Sequence, residues 1–283
     1  VFQAVSAFNN AGFDIIGGFQ SLTVYNQDPA VVLTIGFLII LGGISFTVII
    51  DLYREQRFKC LLLDTKMVLV ATVALLAIGT FGLLVIEYNN PATLGPMSLP
   101  AKLLNAFFSA LTPRTAGFNT VDTSQLTQGA LFLTIALMYI GAAAGSTGGG
   151  IKVNSFAVLT SAVISSIRGR TVATAFGREL PQDHVYRALT VALLAIGLIF
   201  TVTLTLAITE GFTLLQLLFE ATSAFATVGL STGITPQLST VGKLVIVATM
   251  YIGRVGPLTI ALALAQRDEP MRYRYPEGRV KIG

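Results

Sequence analysis

Apolar residues in this sequence do not alternate with polar ones; they run together. Four stretches carry no charged residue: Val31 to Ile50, Met67 to Ile86, Thr123 to Ile151 and Ala188 to Thr209, of 20, 20, 29 and 22 residues. A helix needs roughly 20 residues to cross about 30 Å of hydrocarbon, so each run predicts a membrane-crossing helix. Shorter, semi-polar stretches lie among them, Ala101 to Thr112 and Phe212 to Ala226. Twelve to fifteen residues are too few to span, and these predict re-entrant half-helices.

Three stretches share one pattern: AVSAFNNAGFDIIGG from Ala4, AFFSALTPRTAGFNTVD from Ala106 and ATSAFATVGLSTGITP from Ala221. Each carries a small-residue pair and then a turn closing on glycine, at Gly12, Gly117 and Gly229, 105 and 112 residues apart. A repeat this long fits a duplicated membrane unit. The expected unit is a long helix, a short half-helix, an extended glycine loop and a second long helix. The fold class is therefore an all-α membrane protein of repeated helix–pore-loop–helix units, two of them complete and one lacking its first helix. The boundaries are 1–58, 59–170 and 171–267, with a tail at 268–283. The chain opens without Met and inside the pattern, which predicts that it starts part-way through a longer protein.

Only 11% of the residues are charged, against about 25% in soluble domains. Of the 18 Lys and Arg, 13 fall in three segments: Arg54, Arg57, Lys59 and Lys66; Arg168, Arg170, Arg178 and Arg187; Arg267, Arg272, Arg274, Arg279 and Lys281. The opposite loops hold Lys102 and Lys243. The positive-inside rule places the three basic segments in the cytoplasm of a multi-pass cell-membrane protein. This topology accounts for the net charge of +4 better than nucleic-acid binding does. One cysteine, Cys60, and one histidine, His184, leave no disulfide and no metal or nucleophilic constellation, so an integral-membrane enzyme is not expected.

The unit suits a cation. A half-helix aims its partially negative C-terminal end at the loop that follows. Extended backbone at membrane depth persists where it is buried or lines a water-filled path, and carbonyl rings can replace the hydration shell of K⁺. No carboxylate sits in the glycine motifs, which argues against a divalent-ion site. Tight turns between packed helices are the alternative for any one glycine.

Two further features lie at membrane depth. Ala142 to Gly150, AAAGSTGGG, interrupts a helix that starts near Leu131 and resumes near Ile151. At roughly 1 kcal/mol per glycine it cannot hold a rigid helix. A helix-packing glycine cluster is the other reading; a phosphate loop is not, because Ile151 separates Gly150 from Lys152. Arg254 is the one charge between Lys243 and Arg267, and an intramembrane arginine faces a pore or a partner. Asp14 and Asp122 follow two of the glycines and are expected at the external mouth. Glu220 and Glu210 lie near the last pore half-helix, Glu220 as backbone support or as a tuner of cation entry. His184 is expected to be solvated.

TPRTAGFNT at 112–120, GSTGGGIK at 145–152, FATVGLS at 225–231 and GRVGPLT at 253–259 resemble the Trk/Ktr/HKT superfamily of K⁺ transporters. Within it they resemble the bacterial Ktr membrane subunits, KtrB and the NtpJ relatives. The tail RYPEGRVKIG is similar to the usual end of such subunits. The resemblance implies four units arranged pseudo-fourfold around one pore, the first unit and the leading helix of the second being absent from this chain. It implies filter strands at Asn10, Ala11, Gly12 and Phe13; at Thr115, Ala116, Gly117 and Phe118; and at Thr227, Val228, Gly229 and Leu230, with K⁺ at their backbone carbonyls. Leu230 stands where the others have Phe, a packing change behind the filter. Gly145, Ser146, Thr147, Gly148, Gly149 and Gly150 would form an intramembrane gate beside Arg254. The resemblance further implies K⁺ as substrate, Na⁺ as coupling or activating ion, and no cofactor bound by this chain. The implied partners are the lipid bilayer, a second copy in a homodimer, and a cytoplasmic nucleotide-binding ring of the KtrA type. An autonomous cation channel and a sodium-preferring member of the same superfamily are the alternatives.

Overall fold

The computed structural model describes residues 1–18, 20–256 and 259; the basic tail and Pro257 and Leu258 of the fourth motif lie outside them. The helices, in order, are α1 (Phe2–Phe8), α2 (Pro29–Gly43), α3 (Phe46–Arg54), α4 (Leu63–Glu87), α5 (Leu99–Leu111), α6 (Gln128–Tyr139) and α7 (Val153–Ile167). A small hairpin, β1 (Thr174–Ala175) and β2 (Arg178–Glu179), precedes α8 (Gln182–Thr209), α9 (Leu214–Ala226) and α10 (Thr240–Val255).

By length and composition α4 and α8 can each cross a membrane, with 25 and 28 residues. The half-helices α5 and α9 have 13 residues each, about 20 Å at 1.5 Å per residue, too short to cross. Caps set where the helices following the glycine loops begin. Asp28 accepts from the amides of Ala30 and Val31, with Pro29 at the first helical position. Thr127 caps α6 and Ser239 caps α10 through their hydroxyls. Each supplies an acceptor to an amide that has no partner within the helix.

The run from Val31 to Ile50, expected as one span, is broken: α2 and α3 meet at 96° across Ile44 and Ser45. Gly42 lies so near the end of α1 that a Cβ there would fall 1.8 Å from the carbonyl oxygen of Phe8. The carbonyls of Gly42 and Gly43, freed from helical pairing, accept instead from Thr147 and Ala143.

The units interlock behind their loops. Phe118 is fully buried with Leu22, Val32 and Ile39 of the preceding unit. Leu230 is buried with Leu131 and Met138 of α6. Phe118 and Leu230 thus pack on the second helix of the unit before each, and the burial of these large apolar groups holds their loops in register. On the basic side, Phe176 of the hairpin turn meets Phe58 edge-on at 6.1 Å between centroids.

Candidate functional site

The three glycine loops, far apart in sequence, meet. A Cβ on Gly12 would fall 2.9 Å from Ala116 O and 3.0 Å from Gly117 Cα. One on Gly117 would fall 2.5 Å from Val228 O, and one on Gly229 would lie 3.7 Å from Gly117 Cα. Gly117 therefore stands between Gly12 and Gly229, with room for no side chain at the closest approach.

The loops share an unusual backbone. In each, the residue two before the glycine has positive φ (Asn10 49°, Thr115 73°, Thr227 53°), and so does the glycine (71°, 76° and 90°). In an ordinary strand successive carbonyls point to opposite sides; alternating the sign of φ turns them toward one side. Thr115 and Thr227 are β-branched, and the left-handed region costs such residues about 1–2 kcal/mol. Strain of this kind persists where the surroundings over-determine the conformation.

Those surroundings are specific. Asn10 and Thr227 end α1 and α9 with the same pair of bonds. The amide of Asn10 donates to Ala7 O and that of Ala11 to Ser6 O, while Thr227 donates to Ala224 O and Val228 to Ser223 O. This is the double bond of a left-handed helix terminus. Beyond the glycine, Thr112 Oγ1 donates to Phe118 O, and Ser223 Oγ donates to Leu230 O at 2.6 Å. Ser6, at the position of Ser223, has a buried hydroxyl with no partner among the described residues. The loop it precedes is also less enclosed: Phe13, expected to pack behind its strand as Phe118 and Leu230 do, is 69% exposed.

Above the glycines opens a cavity of about 740 Å³ lined by all three of them and by Asp14, Asp122 and Glu220. Asp14 and Asp122 each cap their own turn, accepting from the amides of Ile16 and Ser124. Glu220 is buried, and its oxygens are taken by Thr232 N–H (2.8 Å), Ser231 Oγ (2.8 Å) and Thr235 Oγ1 (2.6 Å). Its geometry is that of the backbone support. Glu87 and Glu210 have a parallel duty that the sequence did not disclose. Glu87 accepts from the amide and hydroxyl of Thr127, and Glu210 from those of Ser239, joining the end of a unit's first helix to the start of its last. The Ser239 bonds hold the half-buried Glu210 carboxyl below the usual carboxylate range. His184 is exposed at the start of α8.

Beneath the loops lies the segment Ala142–Gly150, between α6 and α7. Its base closes where Gly141 N–H donates to Ile151 O (2.8 Å) and Val153 N–H to Ala142 O (3.1 Å). Three consecutive residues each meet one strand. Thr147 Oγ1 is 3.2 Å from the Asn10 amide. A Cβ on Gly148 would fall 2.3 Å from Thr115 Oγ1, and one on Gly149 2.1 Å from Thr227 Oγ1. Gly150 abuts Ala226, and Gly145 faces Ser45. Ser146 Oγ turns back to Ala143 O (2.6 Å). Two cations hold successive carbonyls of the segment: Arg254 Nη1 donates to Thr147 O at 2.6 Å, and Lys152 Nζ donates to Gly148 O.

Sequence reasoning found Arg254 and missed Lys152, which it had used only to exclude a phosphate loop. It also missed Arg114, 7% exposed, whose Nη2 donates to Thr72 Oγ1 at 3.2 Å. Arg114 stands three residues before Gly117, where Asn9 and Ala226 stand in the other units. A charge at membrane depth inside TPRTAGFNT was the available signal.

A family model described as TrkH, a cation transport protein, matches residues 1–273. The Ktr system potassium uptake protein B of Bacillus subtilis is 43% identical over 283 residues, covering 100% of this chain and 63% of that protein. The potassium/sodium uptake protein NtpJ of Enterococcus hirae is 40% identical over 290 residues, covering 100% and 63%. The chain thus spans just under two thirds of the length of these curated relatives. The crystal structure of the potassium transporter TrkH from Vibrio parahaemolyticus superposes with a TM-score of 0.73 at 20% identity, covering 95% of this chain and 57% of that one, so the helical fold is shared.

Proposed function

We propose that this chain, which belongs to the TrkH family of cation transport proteins, carries K⁺ across the cell membrane as part of the pore-forming subunit of a potassium-uptake system. Members of the family are membrane transport proteins, not enzymes. One observation carries the reading: three glycine loops with alternating φ converge on one another, and one intramembrane segment lies against all three from the opposite side to the outer cavity.

In this reading the carbonyls of residues 10–13, 115–118 and 227–230 line a filter. Residues outside this chain supply the remaining quadrant of a pseudo-fourfold ring, and the units run over 1–58, 59–170 and 171–267. K⁺ loses water at the carbonyls, which are held apart by the enclosing units rather than by their own contacts. The negative ends of α1, α5 and α9 favour the cation there. The segment 145–150 is the gate, resting against the filter's inner end under Arg254 and Lys152. The basic segments face the cytoplasm, where a nucleotide-binding ring would act on a dimer of membrane subunits. The relatives' description as a Ktr system supports a multi-component assembly. The sodium in the name of the NtpJ relative supports a role for Na⁺ as coupling ion or as a competing substrate.

The test is Gly117→Ser in a full-length subunit carrying this sequence. It is read as growth of a K⁺-uptake-deficient strain at limiting K⁺ and as K⁺ and Na⁺ flux in proteoliposomes. At Gly117 a Cβ meets Val228 O at 2.5 Å, so K⁺ preference over Na⁺ should collapse. Parental affinity and preference in a folded variant would remove the filter assignment.

A further inference from the structure

The gate segment has one connection that leads out of the pore region. Asn154, in the first turn of α7, accepts the Ala144 N–H on Oδ1 at 2.8 Å. Its Nδ2 donates to Asp64 Oδ1 at 2.5 Å. A carboxylate only accepts and an amide N–H only donates, so these two partners fix the orientation of the Asn154 amide. Asp64 lies in the first turn of α4, where unpaired helix amides favour a negative charge.

Among the described residues, the segment's other bonds to the rest of the chain run to Gly42, Gly43, Asn10, Arg254, Lys152 and Val153. Asp64 instead adjoins the basic loop 55–62. That loop is itself secured at its end: Leu62 N–H donates to Asp51 Oδ2 at 3.0 Å, and Lys66 Nζ to Lys59 O at 2.7 Å.

We propose that Asp64 and Asn154 are positioning residues for the gate. They form a strut that holds Ala144 and the segment behind it in the blocking position, and through it displacement of the loop 55–62 reaches the gate. The inference rests on the gate assignment above. The strut has little slack. A hydrogen bond is lost beyond about 3.5 Å, so a shift of α4's first turn by about 1 Å relative to α7 disconnects it. A regulator bound at the basic face needs no contact with the pore to move the gate, because it acts on the loop that adjoins Asp64.

The experiment is K⁺ flux into proteoliposomes holding the full-length subunit without any regulatory partner, with melting measured on the same preparations. Asp64→Ala and Asn154→Ala should each raise flux roughly three- to tenfold, and the double variant no further than the larger single. The exchanged pair, Asp64→Asn with Asn154→Asp, keeps an acceptor for Ala144 and a donor–acceptor pair to α4, and should return flux to within about twofold of the parent. Asn154→Asp alone sets two carboxylates face to face and should raise flux; it serves where the alanine variant folds poorly. A general packing role would shift melting and would not be reversed by the exchange. Additive single variants, or an exchanged pair as active as the double alanine, would overturn the strut. Arg254→Ala in parallel separates the two readings. Raised flux there with inert Asp64 and Asn154 variants removes the strut and keeps the gate, whereas unchanged flux in all of them removes both.

Discussion

Between Thr127 and Gly141 in one unit, and between Ser239 and Gly253 in the next, the chain follows one plan. Each helix cap stands ten residues past the glycine of its loop, and each later glycine stands 24 past that same glycine. At Gly253 the helix continues, because the missing side chain lets α10 sit against the end of α9; a Cβ would fall 1.8 Å from Phe225 O. At Gly141 the helix has already stopped at Tyr139, and the same space is filled by Gly149 O, 2.3 Å from where a Cβ would be. The next residue is Ala142 in one unit and Arg254 in the other. In this reading one copy of a duplicated unit supplies the plug and the other supplies the cation that holds it. On the proposed reading, asymmetry within a repeat, rather than an added domain, would provide the gate.

The comparison breaks most forcefully at the helical glycines. Gly253→Ala, and Gly42→Ala in the unit with the same close approach, should cost about 3 kcal/mol or more, since a backbone carbonyl cannot move aside cheaply. Gly197→Ala in α8, where nothing lies within 4 Å, should be neutral or stabilising by up to about 1 kcal/mol. Melting in detergent and the yield of monodisperse protein compare the three; a Gly253→Ala protein that melts with the parent would show that the approach is not required.

The plug itself is the next target. Removing Ala143–Gly149 should raise K⁺ flux on the order of tenfold in the absence of a regulatory partner, because the closed state loses its blocking element. Flux that is unchanged or abolished in a folded, membrane-inserted protein would count against a gate. Arg254→Ala probes the opposing copy and should act more mildly. A rise of a few-fold at saturating K⁺ is expected, with K⁺ over Na⁺ discrimination nearly intact, since the fixed charge lies below the filter. Loss of thermal stability with no gain in flux would make Arg254 an anchor only.

The smallest effect sharpens the contrast with the first unit. Ser223→Ala removes the hydroxyl that holds Leu230 O and should cost about 1 kcal/mol. Ser6→Ala, at the matching position but without a partner among the described residues, should change melting by no more than about 0.5 kcal/mol. Equal losses would mean that Ser6 acquires a partner in the assembled subunit.

The helices and glycine loops were legible because apolar run length and a repeated short motif report directly on membrane helices and duplicated units. AAAGSTGGG and Arg254 were legible as violations, a flexible segment and a charge where neither belongs. The 96° turn after Gly43 was not. Hydropathy measures how apolar a run is, not its direction, and the Gly42 and Gly43 carbonyls at the turn are taken by Thr147 and Ala143 of a segment distant in sequence. Lys152 and Asn154 were illegible for a related reason: they sit at an ordinary helix start, and only the folded segment brings Gly148 O and Ala144 N–H to them. Arg114 lies within TPRTAGFNT itself, but the repeated pattern centres on the glycine three residues later, and neither of the other units has a charge at its position. The exposure of Phe13 could not be read from NAGF, which matches TAGF residue for residue at the three final positions.

The bend after Gly43 also bears on how this protein would look to a geneticist. The anchorage it offers to Ala143 and Thr147 consists of the carbonyls of Gly42 and Gly43, and Arg254 and Lys152 likewise grip main-chain oxygens. Main-chain carbonyls are the same in every codon's product, and the amide N–H is lost only with proline. A saturation screen of residues 142–150 would therefore score conservative exchanges at Ala143 and Ser146 as tolerated and would record intolerance chiefly where any side chain collides, at Gly148 and Gly149. The contacts that keep the segment in place would leave almost no trace in such a table, and the positions that did stand out would be marked by what they lack.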